Sequence, residues 1–118
     1  MELVNQIKTE LKSFRYHISD EKDLQSDLFE TVLKKVGFVR EFILEKGSII
    51  DFYHPKLKIG IEVKISRKKT QIYRQCVRYT KSGRLDYLLL ITAANVGDWF
   101  DEINNVPTSI IHLSRSLL

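Results

Sequence analysis

The 118-residue chain has a single cysteine, Cys76. That leaves no internal disulfide framework and no cysteine-rich zinc site, and it suits a reducing compartment. No apolar run approaches the roughly 20 residues of a membrane span. The opening Met-Glu-Leu-Val-Asn-Gln lacks the apolar core of a signal peptide, so a cytoplasmic location with no membrane partner is expected. Glycine loops of the Walker or dinucleotide type are missing. The histidines, His17, His54 and His112, fall in a loop, a hairpin and the tail without the spacing of a metal site; they read as surface or satisfied core residues, with His54 alone near the carboxylates described below. No serine or cysteine lies in a nucleophile motif, and Cys76 faces the apolar side of a helix. Repeats, low-complexity runs and linkers are also absent. The chemistry left to this chain belongs to its carboxylates, lysines and arginines.

With 43% hydrophobic and 29% charged residues, residues 1–118 form one domain, large enough for a core without covalent staples. The net charge of +4 is unevenly distributed. From Lys64 to Arg84 come Lys64, Arg67, Lys68, Lys69, Arg74, Arg78, Lys81 and Arg84 with no acid among them. Such a block favours a polyanion, because phosphate contacts gain from counterion release. A solvated helix face accounts for it equally well.

Leu3, Ile7, Leu11 and Phe14 recur at helical spacing over residues 2 to about 15. Ser19 reads as the N-cap of a second helix running to about Val36, with Asp20 and Glu21 in its first turn and Gly37 as its terminating residue. Leu24, Leu28, Phe29, Val32, Leu33 and Val36 form the buried face of this helix. Glu21 and Gln25 extend that face, whereas Glu30 lies nearly opposite. Glu21 therefore either points inward or simply caps the helix. Val39 to Leu44 reads as a strand, Glu45 to Ser48 as a turn, and residues 49–53 and 59–66 as two strands joined through His54-Pro55-Lys56-Leu57-Lys58. A helix from about Thr70 to Lys81 and a buried strand from Leu85 to Thr92 follow. The crossover helix implies that this strand runs parallel to the one before it. In the tail, 93–118, Ala93 to Gly97 is expected as a loop, Asp98 to Ile103 as a short helix and Ser109 to Leu113 as a last strand.

Alternation along 59–66 sends Ile59, Ile61, Val63 and Ile65 to one side and Gly60, Glu62, Lys64 and Ser66 to the other. Glu62 and Lys64 then stand about 7 Å apart on one face, and Asp51 belongs to the neighbouring strand. Asp51, ten intervening residues and then Glu62-Val63-Lys64 resemble the signature of the PD-(D/E)XK nuclease superfamily, with Ile50 standing where its usual proline would be. Gln75-Cys76-Val77-Arg78-Tyr79 resembles the Q-x-x-x-Y motif of the RecB-like branch, in the helix where that branch carries it. Arg74-Gln75 and Arg78-Tyr79 resemble paired residues of its small stand-alone members. The element order is similar to that of archaeal Holliday-junction resolvases.

The resemblance implies a restriction-endonuclease-like α-β-β-β-α-β core over about 20–92, an α/β fold with a mixed central sheet flanked by helices. It implies a deoxyribonuclease that uses magnesium or manganese. Asp51, Glu62, the carbonyl of Val63 and Glu21 would ligate the metal. Lys64 would orient and help deprotonate the attacking water or stabilise the pentavalent phosphate, and Gln75 would position substrate or water. Arg67, Lys68, Lys69, Arg74, Arg78, Tyr79 and Lys81 would contact nucleic acid. Gln75 and Tyr79 also admit a simpler role as boundary residues of the helix. A homodimer is expected, with Ile110, Ile111, Leu113, Leu117 and Leu118 as a candidate surface, although core packing is the commoner fate of such residues. The competing expectations are a non-catalytic nucleic-acid-binding module on the same fold, and an assembly protein whose polar strand face meets only solvent.

Overall fold

The computed structural model describes residues 2–12 and 20–113. The expected N-cap Ser19, together with Phe14, His17, Leu117 and Leu118, lies outside the described residues. Helix α1 spans Glu2–Lys12 and buries Val4, Ile7 and Leu11. Helix α2, Glu21–Leu28, is capped by Asp20, whose side chain accepts from the Lys22 amide at 2.8 Å. The helix then widens into a π-type turn over Phe29–Leu33. Within it the Thr31 hydroxyl donates to the Asp27 carbonyl, the acceptor that the Thr31 amide of an α-helix would use. At Gly37, with φ of +100°, the chain ends this segment as expected. Phe38 N donates to Leu33 O and Gly37 N to Lys34 O, the paired closure of a Schellman motif.

Strands β1 (Val39–Glu45), β2 (Ser48–His54) and β3 (Ile59–Lys64) form an antiparallel meander. Helix α3, Lys69–Lys81, crosses over to β4, Tyr87–Thr92, which runs parallel to β3 as the crossover required. The remaining strands are β5, Glu102–Ile103, and β6, Val106–His112, and the sheet order is β1-β2-β3-β4-β6-β5. The molecule is a mixed α/β protein with a six-stranded sheet. Among the described residues no helix is long and apolar enough to cross a membrane.

Two expectations in the tail are corrected. Asp98 to Ile103 is not a helix: it is a bent segment ending in β5, held by Thr108 N donating to Asp101 O at 2.8 Å and by the Thr108 hydroxyl on Phe100 O. Asn104 and Asn105 both take positive φ, the conformation of a two-residue hairpin turn, and so fold β5 back on β6. Nor do Ile110, Ile111 and Leu113 form a free dimer surface. Leu113 is buried, Ile111 packs with it on one core, and Ile110 packs on the other.

Those two cores lie on opposite faces of the sheet. The first joins α1, α2 and the π-type turn to Phe52, Ile59, Ile61, Val63, Leu89 and Ile91. The second joins Ile72, Cys76 and Tyr79 of α3 to Ile50, Tyr53, Leu85, Leu88 and Leu90. Burial on both faces explains the unbroken apolar run of β4. In β2 the alternation is interrupted, since Ile50 and Tyr53 share the α3 side while Phe52 takes the other. The interruption falls at Asp51. Facing it, between the pairs Arg40 with Phe52 and Phe42 with Ile50, Glu41 adopts φ of +50°.

Candidate active site

Pairing between β2 and β3 runs from His54 with Ile59 to Phe52 with Ile61 and stops there. At the next position side chains take over from the backbone ladder. The Val63 amide donates to Asp51 Oδ2 at 2.8 Å, and the Asp51 amide donates to Glu62 Oε1 at 3.2 Å. Each carboxylate thus satisfies an amide of the other's strand, and the two acids are held together where the strands part. Val63 enters through this amide while its side chain is in the core.

Glu62 is 1% exposed. Its Oε2 lies 3.3 Å from Lys64 Nζ and accepts from the Tyr79 hydroxyl at 2.9 Å. The expected common face of Glu62 and Lys64 is therefore present, and it points under α3. That hydroxyl also lies 2.9 Å from Ile49 O and accepts from Gln75 Nε2 at 2.7 Å. With one proton to donate, Tyr79 divides it between Glu62 and Ile49 O, and Gln75 holds the oxygen from the other side. Gln75 thus reaches Glu62 through Tyr79. Tyr79 itself is 1% exposed, so its expected contact with nucleic acid is corrected: the ring is core and the hydroxyl supports a carboxylate. The spacing of Gln75 and Tyr79 showed a shared face but not its depth.

Glu21, half-buried at the start of α2, accepts from the Ile65 amide at 3.0 Å just beyond β3. Its charge raises the proton affinity of Asp51. The inward reading of Glu21 is the observed one, and Asp20 does the capping. Glu30 faces solvent and pairs with Lys34. Thr92 joins the site without any sequence signal: its buried hydroxyl donates to Lys64 O at 2.6 Å and accepts from Ala94 N, so β4 secures the end of β3.

His54 lies at the other end of the ladder between β2 and β3. Its Nε2 is 3.0 Å from Val36 O, and its Nδ1 accepts from Leu57 N at 3.0 Å. These partners set the neutral tautomer with the proton on Nε2. His54 closes a hairpin and does not join the carboxylates.

Burial raises the pKa of both acids. Asp51 is pushed up by desolvation against the opposing Val63 hydrogen bond, and Glu62 is pushed up to about 8, by desolvation first and by the charge of Asp51 second. Tyr79 is raised by burial and by Glu62, and Cys76, pushed up to about 12 by burial, is an inert thiol. A hard cation suits such a donor set, because the paired carboxylates, once deprotonated, concentrate negative charge beside Lys64. Among the described residues no three His, Cys, Asp or Glu side chains converge as a ready metal cluster, so a cation here would rely on Asp51 and Glu62 for its protein side chains.

The basic residues form a different surface. Arg67, Lys68, Arg74, Arg78 and Lys81 are exposed, along the outward side of α3 and the segment leading into it. Lys69 is already engaged, its ammonium donating to Asp98 O at 2.7 Å and lying 5.4 Å from the Phe100 ring centre. Arg84 stacks over Phe42 beyond the helix. A scan against protein-family models finds no match, and searches of curated proteins and of solved structures return no significant one.

Proposed function

We propose that the chain is a metal-dependent nuclease that hydrolyses phosphodiester bonds in DNA, on a restriction-endonuclease-like core of the PD-(D/E)XK kind with the Q-x-x-x-Y variation of its RecB-like branch. The observation that carries this reading is the meeting of Asp51, Glu62 and Lys64 where β2 and β3 separate, with Gln75 and Tyr79 bonded in series behind Glu62. Asp51 and Glu62 would hold magnesium or manganese, with Glu21 at the margin. Magnesium commonly keeps several waters and takes only one or two carboxylates. When bound, the ion withdraws charge from the phosphoryl oxygens and acidifies a water.

The chain's own residues supply the rest. Lys64, ion-paired with Glu62 and only 13% exposed in its side chain, orients the attacking water or balances charge on the phosphate. Tyr79 holds Glu62 in one rotamer, and Gln75 in turn holds the Tyr79 hydroxyl. Arg74, Arg78 and Lys81 take backbone phosphates by charge-assisted hydrogen bonds. One site per chain cuts a duplex either as a pair of copies or in sequential nicks. The exposed Ile43 and Ile49, paired across β1 and β2, give a second copy an apolar surface.

The test is cleavage of end-labelled single-stranded, duplex, flapped and four-way-junction DNA with magnesium, manganese or chelator. Glu62→Ala is expected to lose activity by on the order of a hundredfold or more while keeping its fold and DNA affinity. Retained cutting in that variant refutes the proposal. The rival reading, a binding or assembly module without chemistry, draws on the lack of a three-residue metal cluster among the described residues. DNA binding without calorimetric uptake of metal would favour it.

A further inference from the structure

The first turns of α3 also wall a cleft that the proposed chemistry leaves unused. It measures about 330 Å³ and is lined by Lys69, Thr70, Tyr73 and Arg74 of α3 and by Phe100 from the connection after β4. That is the lower end of the roughly 300–1,000 Å³ range of small-molecule sites. Phe100 is 39% exposed. Its ring centre lies 4.6 Å from that of Tyr73, tilted by 42°, and 5.3 Å from Trp99, which meets it edge-on. Lys69, donating to Asp98 O and lying over Phe100, ties the loop to the helix. The rings are therefore held in place, with solvent reaching part of the aromatic surface.

The location links this cleft to the carboxylates. Because β3 and β4 are parallel, the segments leaving their carboxyl ends emerge at one end of the sheet. Lys64 ends β3 there, α3 begins there after it, and the Trp99–Phe100 loop follows Thr92. Arg74 lines the cleft, and Arg78 is exposed one turn further along α3. Aromatic faces next to cations are how proteins hold unpaired nucleotides, with a ring stacking the base and a cation taking the phosphate. The acid-free basic run from Lys64 to Arg84 selects an anionic polymer over a neutral apolar ligand.

We infer that this cleft receives one unpaired nucleobase of the DNA, stacked on Phe100 and Tyr73 with Arg74 on the adjoining phosphate. The inference rests on the nuclease reading above and gives it a substrate class: single-stranded, flapped or frayed DNA. A paired base does not present its faces to the rings without first leaving the stack.

The test is binding by the full chain in chelator, where no cutting occurs, to a short single-stranded oligonucleotide containing 2-aminopurine and to a blunt duplex of the same sequence. Wild type is expected to prefer the single strand and to quench the 2-aminopurine. Phe100→Ala should weaken single-strand binding about tenfold and relieve the quenching. Duplex binding, which also reports that the variant is folded, should remain within about twofold, and Phe100→Tyr should restore the single-strand affinity. Equal losses on both DNAs, or an unchanged affinity and quench in Phe100→Ala, would overturn the assignment. If wild type shows the preference and the quench but never cuts in magnesium, the nuclease reading fails while the cleft assignment stands.

Discussion

The two ends of the short ladder between β2 and β3, one at His54 and one just past Phe52 at Asp51, are put to opposite uses. At His54 the ladder is closed and each imidazole nitrogen has a backbone partner, on Val36 and Leu57. The ring packs edge-on against Phe38 and leaves no room for a Cβ on Gly37, which would come within 2.9 Å of Nε2. At Asp51 the ladder opens, alternation breaks, and two acids crowd together under a helix. One end is arranged for stability. The other buries two acids whose charge is penalised by desolvation and by their proximity, a feature that clusters at functional sites.

The largest effect should come from removing that charge. Glu62 holds its proton up to about pH 8 in the folded chain, against a reference value of 4.5. Between those values the folded state binds more protons than the unfolded one, so stability falls as pH rises through the window. Glu62→Gln deletes this slope and should stabilise the metal-free protein by about 4–5 kcal/mol at pH 9 relative to its effect at pH 4. Urea unfolding at the two pH values measures it. Added magnesium should raise the wild-type midpoint at pH 9 and leave the variant unmoved. A variant no more stable at pH 9 than wild type would remove the contrast between the two ends.

At the closed end the sign is opposite. His54→Ala leaves Val36 O and Leu57 N without their partners and empties the space beside Phe38. A loss of about 2–3 kcal/mol is expected, measured by the same unfolding experiment. Cleavage by the fraction that stays folded should be unaltered, since the ring touches none of the carboxylates.

Much of this contrast was legible in the residues and some was not. Period-two alternation from Ile59 to Lys64 placed Glu62 and Lys64 together, and the crossover helix required β4 to run parallel to β3. The stripe on α2 left Glu21 open between an inward and a capping role, and only the family resemblance favoured the inward one. The break at Asp51 was not legible, since it coincides with positive φ at Glu41 opposite, which few non-glycine residues adopt. The depth of Tyr79 was hidden for a related reason: periodicity assigns a direction around a helix axis but not what lies beyond it. Asn104-Asn105 did carry a turn signal, since asparagine tolerates the left-handed conformation. Apolar residues at 99, 100 and 103 masked it by imitating helical spacing.

Tyr79→Phe probes the support behind the open end. It removes a donor to Glu62 and to Ile49 O and strands the Gln75 amide. Stability should fall by about 1–2 kcal/mol. The Tyr79 hydrogen bond favours the ionised carboxylate, so its loss raises the Glu62 pKa further. The acid limb of the pH–cleavage profile should move to higher pH, a change that general loosening of the core would not produce.

The smallest expected effect on the fold belongs to Arg78, exposed on the outward side of α3. Arg78→Ala should alter stability by less than about 0.5 kcal/mol while weakening DNA binding in a way that depends on salt. If the arginine neutralises one phosphate, the slope of log affinity against log salt should fall in magnitude by about 0.7 for a single strand and about 0.9 for a duplex. Affinity titrations across a range of potassium chloride concentrations read that slope directly. The two values also separate the states of the DNA lying across α3, so a change near the single-strand value would extend the contrast within β2 to the substrate: strands part in the protein where strands are parted in the DNA. An unchanged slope would make the basic face of α3 a solvated surface and confine the functional end of the molecule to the carboxylates.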